Sequence, residues 1–273
     1  LTLGFSSCPN DTFLFYALVH GLLAGSPPFR HRIEDVETLN RLVLARELDV
    51  SKVSCHLVGH VRDDYVLLRS GGALGRGCGP LVVAREGLAA TDLHRKRVAV
   101  PGRYTTAWLL LRMFDPRIGE GVFMPFDRIM DSVASGETDA GLIIHESRFT
   151  YASHGLVSLL DLGEWWEGST GMPLPLGGIV ARRSLGEPLL RRLESLLRES
   201  VEYAWSRPGE AQPYIRRHSQ EMSEETCQAH ISLYVNDFSA EVGEEGERAM
   251  RLLLERGAEA GILPKSDAAI FIE

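Results

Sequence analysis

The chain opens with LTLGFS, an alternation of apolar and polar positions that predicts a strand. The turn Cys8-Pro9-Asn10-Asp11 follows, with Asn10 or Asp11 as the N-cap of a buried helix over Phe13 to Leu23. Arg30 to Val36 predicts a second strand. Asp35 to Ala45 predicts a helix whose apolar face is Val36, Leu39, Leu42, Val43 and Leu44. LDVSKVSCHLV predicts a short strand ending near Ser54, and Tyr65 to Leu68 predicts another. Ser70 to Pro80 holds five glycines and reads as a lid or hinge loop; LVVA, Leu81 to Ala84, is strand-like and a candidate crossing between lobes.

The next stretch is more regular. RVAVPG is a strand stopped by Pro-Gly, and Thr105 to Phe114 continues as an apolar helix. VFMPF is a strand, and a helix then presents Ile129, Val133 and Ala134 inward and ends at Gly136. DAGLII is a strand buried on both faces, with His145 at its end. GLVSLLDLG and Leu176 to Val180 add strands around Trp165 and Trp166. From Gly186 the pattern is helical, including a stripe of Leu189, Leu193, Leu196, Leu197, Val201 and Ala204. Alternating strands and helices predict mostly parallel sheets. A chain that leaves one α/β unit, builds a second and returns gives a two-lobed fold with a cleft, the architecture of type II periplasmic binding proteins. The expected lobes are residues 1–84 with 183–273, and 85–182. A single doubly wound sheet is the alternative.

Composition narrows the function. Apolar residues are 44% and charged residues 24%, as in globular proteins, and the formal charge of -8 includes no basic block that would suit nucleic acid. Phe13 to Leu23 is too short to span a bilayer, and no Lys or Arg precedes it as in a signal peptide, so a cytoplasmic protein without a membrane partner is expected. Cys8, Cys55, Cys78 and Cys227 form no C-x-x-C pair and read as reduced thiols. No Cys/His clustering suggests a metal site.

Several groups carry candidate chemistry. His145 follows a strand, where open α/β sheets bind ligands, and an imidazole titrates near neutrality; a histidine held by a local backbone hydrogen bond is the alternative. Thr105 and Thr106 open a helix whose free amides and dipole favour a carboxylate or phosphate, though plain N-capping also explains a threonine there. Ser54, Cys55 and His56 follow a presumed strand and could face those threonines across a cleft, a polar strand end being the alternative. A Cys55–His56 nucleophile pair is discounted, because strand neighbours point to opposite faces. Asn10 or Thr12 could donate to a ligand. Trp165 and Trp166 either cover an aromatic ligand or belong to the core.

Taken in order, SSCPNDTFLFYALVHG, EDVETLNR, RSGGALGRGCGPLVVAR, VPGRYTTA, GLIIHESRFTY and YVNDFS resemble the 1,4-dihydroxy-6-naphthoate synthases of the futalosine route to menaquinone, over nearly the whole chain. The resemblance implies the two-lobed binding-protein fold and a small acidic substrate. It implies cleavage of cyclic dehypoxanthine futalosine to 1,4-dihydroxy-6-naphthoate and a dihydroxyacetone fragment, with no organic cofactor or metal. It makes His145 the proton acceptor and places substrate on Ser54, Cys55 and His56 and on Thr105 with Thr106. A solute-binding protein for a small acid and a chorismate dehydratase on the same fold are the rivals, with HESRFTY favouring the synthase.

Overall fold

A computed structural model describes residues 1–219 and 223–272. In chain order the first lobe begins with β1 (Thr2–Phe5), α1 (Pro9–Val19), β2 (Arg30–Ile33), α2 (Val36–Leu44), β3 (Val50–Ser54), α3 (Cys55–Val61), β4 (Tyr65–Leu67) and β5 (Ala73–Gly75). The second lobe holds β6 (Leu81–Ala84), β7 (Val98–Val100), α4 (Thr106–Phe114), β8 (Val122–Phe123), α5 (Ile129–Ser135), β9 (Ala140–Ile143), α6 (Ser147–Thr150), β10 (Val157–Asp161) and α7 (Leu162–Thr170). The chain then returns through β11 (Leu174–Arg182) to α8 (Glu187–Ser206), α9 (Pro208–His218), α10 (Glu224–Tyr234), α11 (Asp237–Ala240) and α12 (Gly243–Glu259).

Two sheets result. One has the order β2-β1-β3-β11-β4, with β5 on the other half of β11, and the second runs β10-β6-β9-β7-β8. The strands expected to be mostly parallel are mixed. β1 pairs in parallel with β2 and β3, and β7 with β8 and β9. The crossing strands run the other way: β11 is antiparallel to β3, β4 and β5, and β6 to β9 and β10. A strand entering a sheet from the other lobe has no crossover helix to turn it parallel. The chain therefore crosses before β6 and before β11, several residues ahead of the expected boundaries at 84 and 182. Residues 81–84 belong to the second sheet and residues 174–182 to the first.

Local chemistry explains the elements that set up the cleft. Helix α1 starts at Pro9, not Phe13, because proline suits a first helical position and Cys8 takes the extended N-cap conformation. The Asp35 carboxylate caps α2 by accepting from the amides of Glu37 and Thr38 at 3.0 and 3.1 Å. Thr105 Oγ1 caps α4, accepting from the Trp108 amide at 3.3 Å. Gly136 stops α5 in the left-handed region at φ 85°. The glycine-rich loop is no lid: it contains buried β5 and then becomes the first crossing segment.

Three apolar clusters hold the lobes. One lies between the first sheet and the α1–α8 side, through Leu3, Phe5, Phe15, Leu193 and Val201. A second packs α5 on the other sheet through Val83, Ala99, Ile129 and Val133. The largest runs through the crossing region, from Leu39 and Leu57 to Leu109, Leu142, Trp166 and Leu253. Trp166 is fully buried and donates Nε1–H to the Pro173 carbonyl at 3.1 Å, while Trp165 packs against Phe114. Both tryptophans serve the core, and neither lines the cleft. Among the described residues no helix is long and apolar enough to cross a membrane.

Candidate active site

A cleft of about 720 Å³, including its open mouth, lies between the lobes. The first lobe lines it with Ser6, Asn10, Asp11, Lys52, Ser54, His230 and Tyr234, and the second with Gly79, Thr105, Thr106, His145 and Arg148. The expected Ser54, Thr105, Thr106, Asn10 and His145 thus come together although they are far apart in sequence.

His145 stands two residues beyond β9 at φ 58°, one of two non-glycine residues in the left-handed region among those described. Such strain persists only where the surroundings impose it, and it clusters at functional sites. The Nδ1 atom lies 3.2 Å from Cys8 Sγ, and the ring packs on Phe126 at 5.1 Å and parallel to His230 at 6.1 Å. Burial holds the His145 imidazole below its ordinary pKa, against the opposing pull of Glu146 and Asp11. It is therefore neutral at pH 7. Burial pushes the Cys8 thiol up, helped by the Glu146 and Asp11 charges, so Cys8 stays a thiol and gives His145 no thiolate partner.

The floor of the cleft on the first-lobe side is a buried ion pair. Lys52 Nζ donates to Asp11 Oδ1 at 2.8 Å, and both side chains are under one-tenth exposed. Ser6 donates to Asp11 Oδ2 through its hydroxyl at 2.6 Å and its amide at 3.2 Å. Burial opposes ionisation of Asp11, but Lys52 and Ser6 outweigh it and its pKa is lowered. Asn10 and Asp11 therefore do not cap α1; their side chains turn inward instead. On the second-lobe side, Arg148 bonds the Gly79 carbonyl and Asp161, at 3.0 Å for the latter, which fixes a second cation in the wall.

The threonine end gathers donors. The amides of Thr106 and Ala107 open α4 and have no partner within the helix. Thr106 Oγ1 donates to the Leu176 carbonyl on β11 at 2.6 Å and accepts from the His56 amide at 3.3 Å. Thr105 Oγ1 is held by the Gly102 carbonyl at 2.9 Å. Both hydroxyls thus fix the helix start, and the α4 amides, rather than free hydroxyls, are what this end offers an anion. A clasp from the first lobe holds the segment before α4: Glu37 accepts from the amides of Arg103 and Tyr104, both at 3.1 Å. Opposite, Ser54 is oriented by Asn40, whose Oδ1 accepts from the Ser54 amide at 3.0 Å.

Two expected contacts move elsewhere. Cys55 and His56 begin helix α3 instead of continuing the strand, so the reason for discounting their pairing does not apply, and neither lines the cleft. Cys55 is fully buried in apolar surroundings, which raises its pKa and leaves an inert thiol. The His56 ring is turned to the Thr105 carbonyl at 3.1 Å and tethers one lobe to the other. In return, Asp11, Lys52, Arg148 and His230 were missed. Lys52 left one signal, a charge in the middle of the short strand VSKVS. His230 sits on a helix with no marked apolar face and left none. Among the described residues no three His, Cys, Asp or Glu side chains converge as metal ligands would.

Two lobes, two crossing strands and an inter-lobe cleft define a periplasmic-binding-protein fold, here with a neutral imidazole and a buried Lys52–Asp11 ion pair at the ligand space. Solved structures agree. The alkanesulfonate-binding protein SsuA of Xanthomonas axonopodis pv. citri superposes with a TM-score of 0.69 at 14% identity, covering 97% of this chain and 94% of that one, and shows the shared fold. Protein AF1704 of Archaeoglobus fulgidus superposes at 0.90 with 38% identity, covering 96% and 98%. The sequence model of the menaquinone biosynthesis family matches residues 1–259, and the chain belongs to that family. It is 54% identical to the 1,4-dihydroxy-6-naphthoate synthase of Thermus thermophilus, over 100% of this chain and 99% of that protein. It is 49% identical to the synthase of Streptomyces coelicolor, over 97% and 95%.

Proposed function

We propose that the protein is a lyase that cleaves cyclic dehypoxanthine futalosine to 1,4-dihydroxy-6-naphthoate and dihydroxyacetone, with His145 as general base. On this reading it is a menaquinone-pathway enzyme of the cytoplasm. The observation that carries the proposal is a half-buried, neutral imidazole held in a strained backbone conformation at the meeting point of the lobes, in a chain similar over its full length to two synthases.

The geometry suits that chemistry. In the tautomer with Nδ1–H directed to Cys8 Sγ, the lone pair of His145 Nε2 is free to take a proton from a sugar-derived hydroxyl. The oxygen then forms a carbonyl, the adjacent carbon–carbon bond breaks, and its electron pair passes into the ring system that becomes aromatic. The α4 amides and the Arg148 and Lys52 cations make the cleft favourable for the substrate carboxylate. The lobes around it exclude the water that would compete for the base.

Incubating the protein with this substrate and following dihydroxynaphthoate by mass spectrometry tests the reading. His145→Ala is expected to lose about 10²–10⁴-fold in turnover while still binding substrate. Wild-type turnover in that variant would remove His145 from the mechanism. Tight binding by the wild type without conversion would favour a solute-binding role.

A further inference from the structure

His230 has no part in the mechanism above, yet its environment is defined in detail. It lies on α10, is 1% exposed and forms part of the cleft wall. Its tautomer follows from its neighbours. Asp11 is an ionised acceptor, held by Lys52 and Ser6. The Asn10 Nδ2 amide donates to Asp11 Oδ1 at 3.1 Å, which turns Asn10 Oδ1 toward His230. That oxygen only accepts, so His230 Nε2, 3.0 Å away, carries the ring proton. Burial, with the neighbouring His145, pulls the His230 pKa down to about 3, so the ring stays neutral.

Nδ1 of His230 is then a bare acceptor. It is buried and has no hydrogen-bond partner in the protein. Buried acceptors are rarely left so, because the lost hydration is not made good. The ring lies parallel to His145, 7° between planes and 6.1 Å between centroids, with Tyr234 at 4.7 Å on another side. If His230 had only to pack and to bond Asn10, Nε2–H would suffice and Nδ1 would bring nothing but a cost. His230 lines the cleft with its ring parallel to that of the general base, and a hydroxyl on the molecule that the base attacks is the kind of donor that would satisfy Nδ1.

Resting on the lyase reading, we propose that His230 contacts substrate, its Nδ1 accepting a hydrogen bond from a hydroxyl of the polyhydroxylated acid and holding it beside His145. Two variants separate this from a packing role. His230→Gln can keep an N–H donor for Asn10 but has no acceptor at the Nδ1 position. His230→Asn places an acceptor near the Nδ1 position and gives up the Asn10 bond. His230→Gln is expected to stay folded and to lose roughly 10- to 100-fold in kcat/KM, with His230→Asn recovering part of the loss despite a lower Tm. Calorimetric titration of the same variants with cyclic dehypoxanthine futalosine should show affinity weakened about 10-fold in His230→Gln. Wild-type kcat/KM and affinity in His230→Gln would overturn the proposal, as would losses in both variants that track Tm alone. If the wild type binds this substrate without converting it, the lyase reading fails and the calorimetry still decides the role of His230. If the wild type does not bind it, both fail.

Discussion

Lowering the pH from 6 to 5 is expected to cost the fold about 2 kcal/mol through His56 and His230 alone. Both rings are buried, at 3% and 1% exposure. Burial first, and then a neighbouring histidine (His60 for His56, His145 for His230), lowers each pKa from 6.5 to about 3. A histidine lowered on folding takes up its proton first in the unfolded chain. Its contribution is complete above the unfolded value of 6.5 and is lost as pH falls toward 3. Allowing for partial protonation of the unfolded chain at pH 6, each histidine contributes about 1 kcal/mol over that single pH unit. His60, His145 and His218 are lowered as well and act in the same direction. Asp11, also lowered, begins to matter only nearer its ordinary 3.8, so this window isolates the histidines. Urea unfolding at the two pH values gives the difference directly. His56→Gln and His230→Gln should each flatten the pH dependence by about 1 kcal/mol. A wild-type loss under about 1 kcal/mol, or an unchanged slope in both variants, would refute the argument.

Three further substitutions test the cleft wall. Lys52→Met leaves the Asp11 carboxylate buried without its counter-ion and should destabilise by about 3–5 kcal/mol, much of it recovered when Asp11→Asn is added; additive losses in a denaturant series would contradict this. At Gly79 a Cβ would lie 2.3 Å from the Gly163 backbone, so the crossing segment and the start of α7 touch main chain to main chain. Gly79→Ala should therefore cost about 1–3 kcal/mol, read as a lower Tm; an unchanged Tm would show that the crossing yields freely.

The parts legible from sequence were those set within a few residues. Helix α4 with its Thr105 cap, the Gly136 stop and the buried strand before His145 all follow from periodicity and turn chemistry. The six phrases of the chain carried the family, and the order of elements implied two lobes. Where those lobes join was not legible, because a period of two names the buried face of a strand and not its partner: β6 and β11 read as strands but are claimed by sheets across the boundary. The strand was expected to end near Ser54, as it does, but the helix that Cys55 and His56 then open was not legible, because nothing local marks its start. The buried polar network lay furthest from view. Lys52 meets Asp11 across 41 residues, and His230 meets Asn10 across 220. Local interactions along the chain determined which residues form helices and strands and which of them carry chemistry. The packing of α10 on α1, and of one lobe on the other, decided which charges are neutralised and which imidazoles stay neutral, since desolvation depends on everything that surrounds a group and not on its neighbours in sequence.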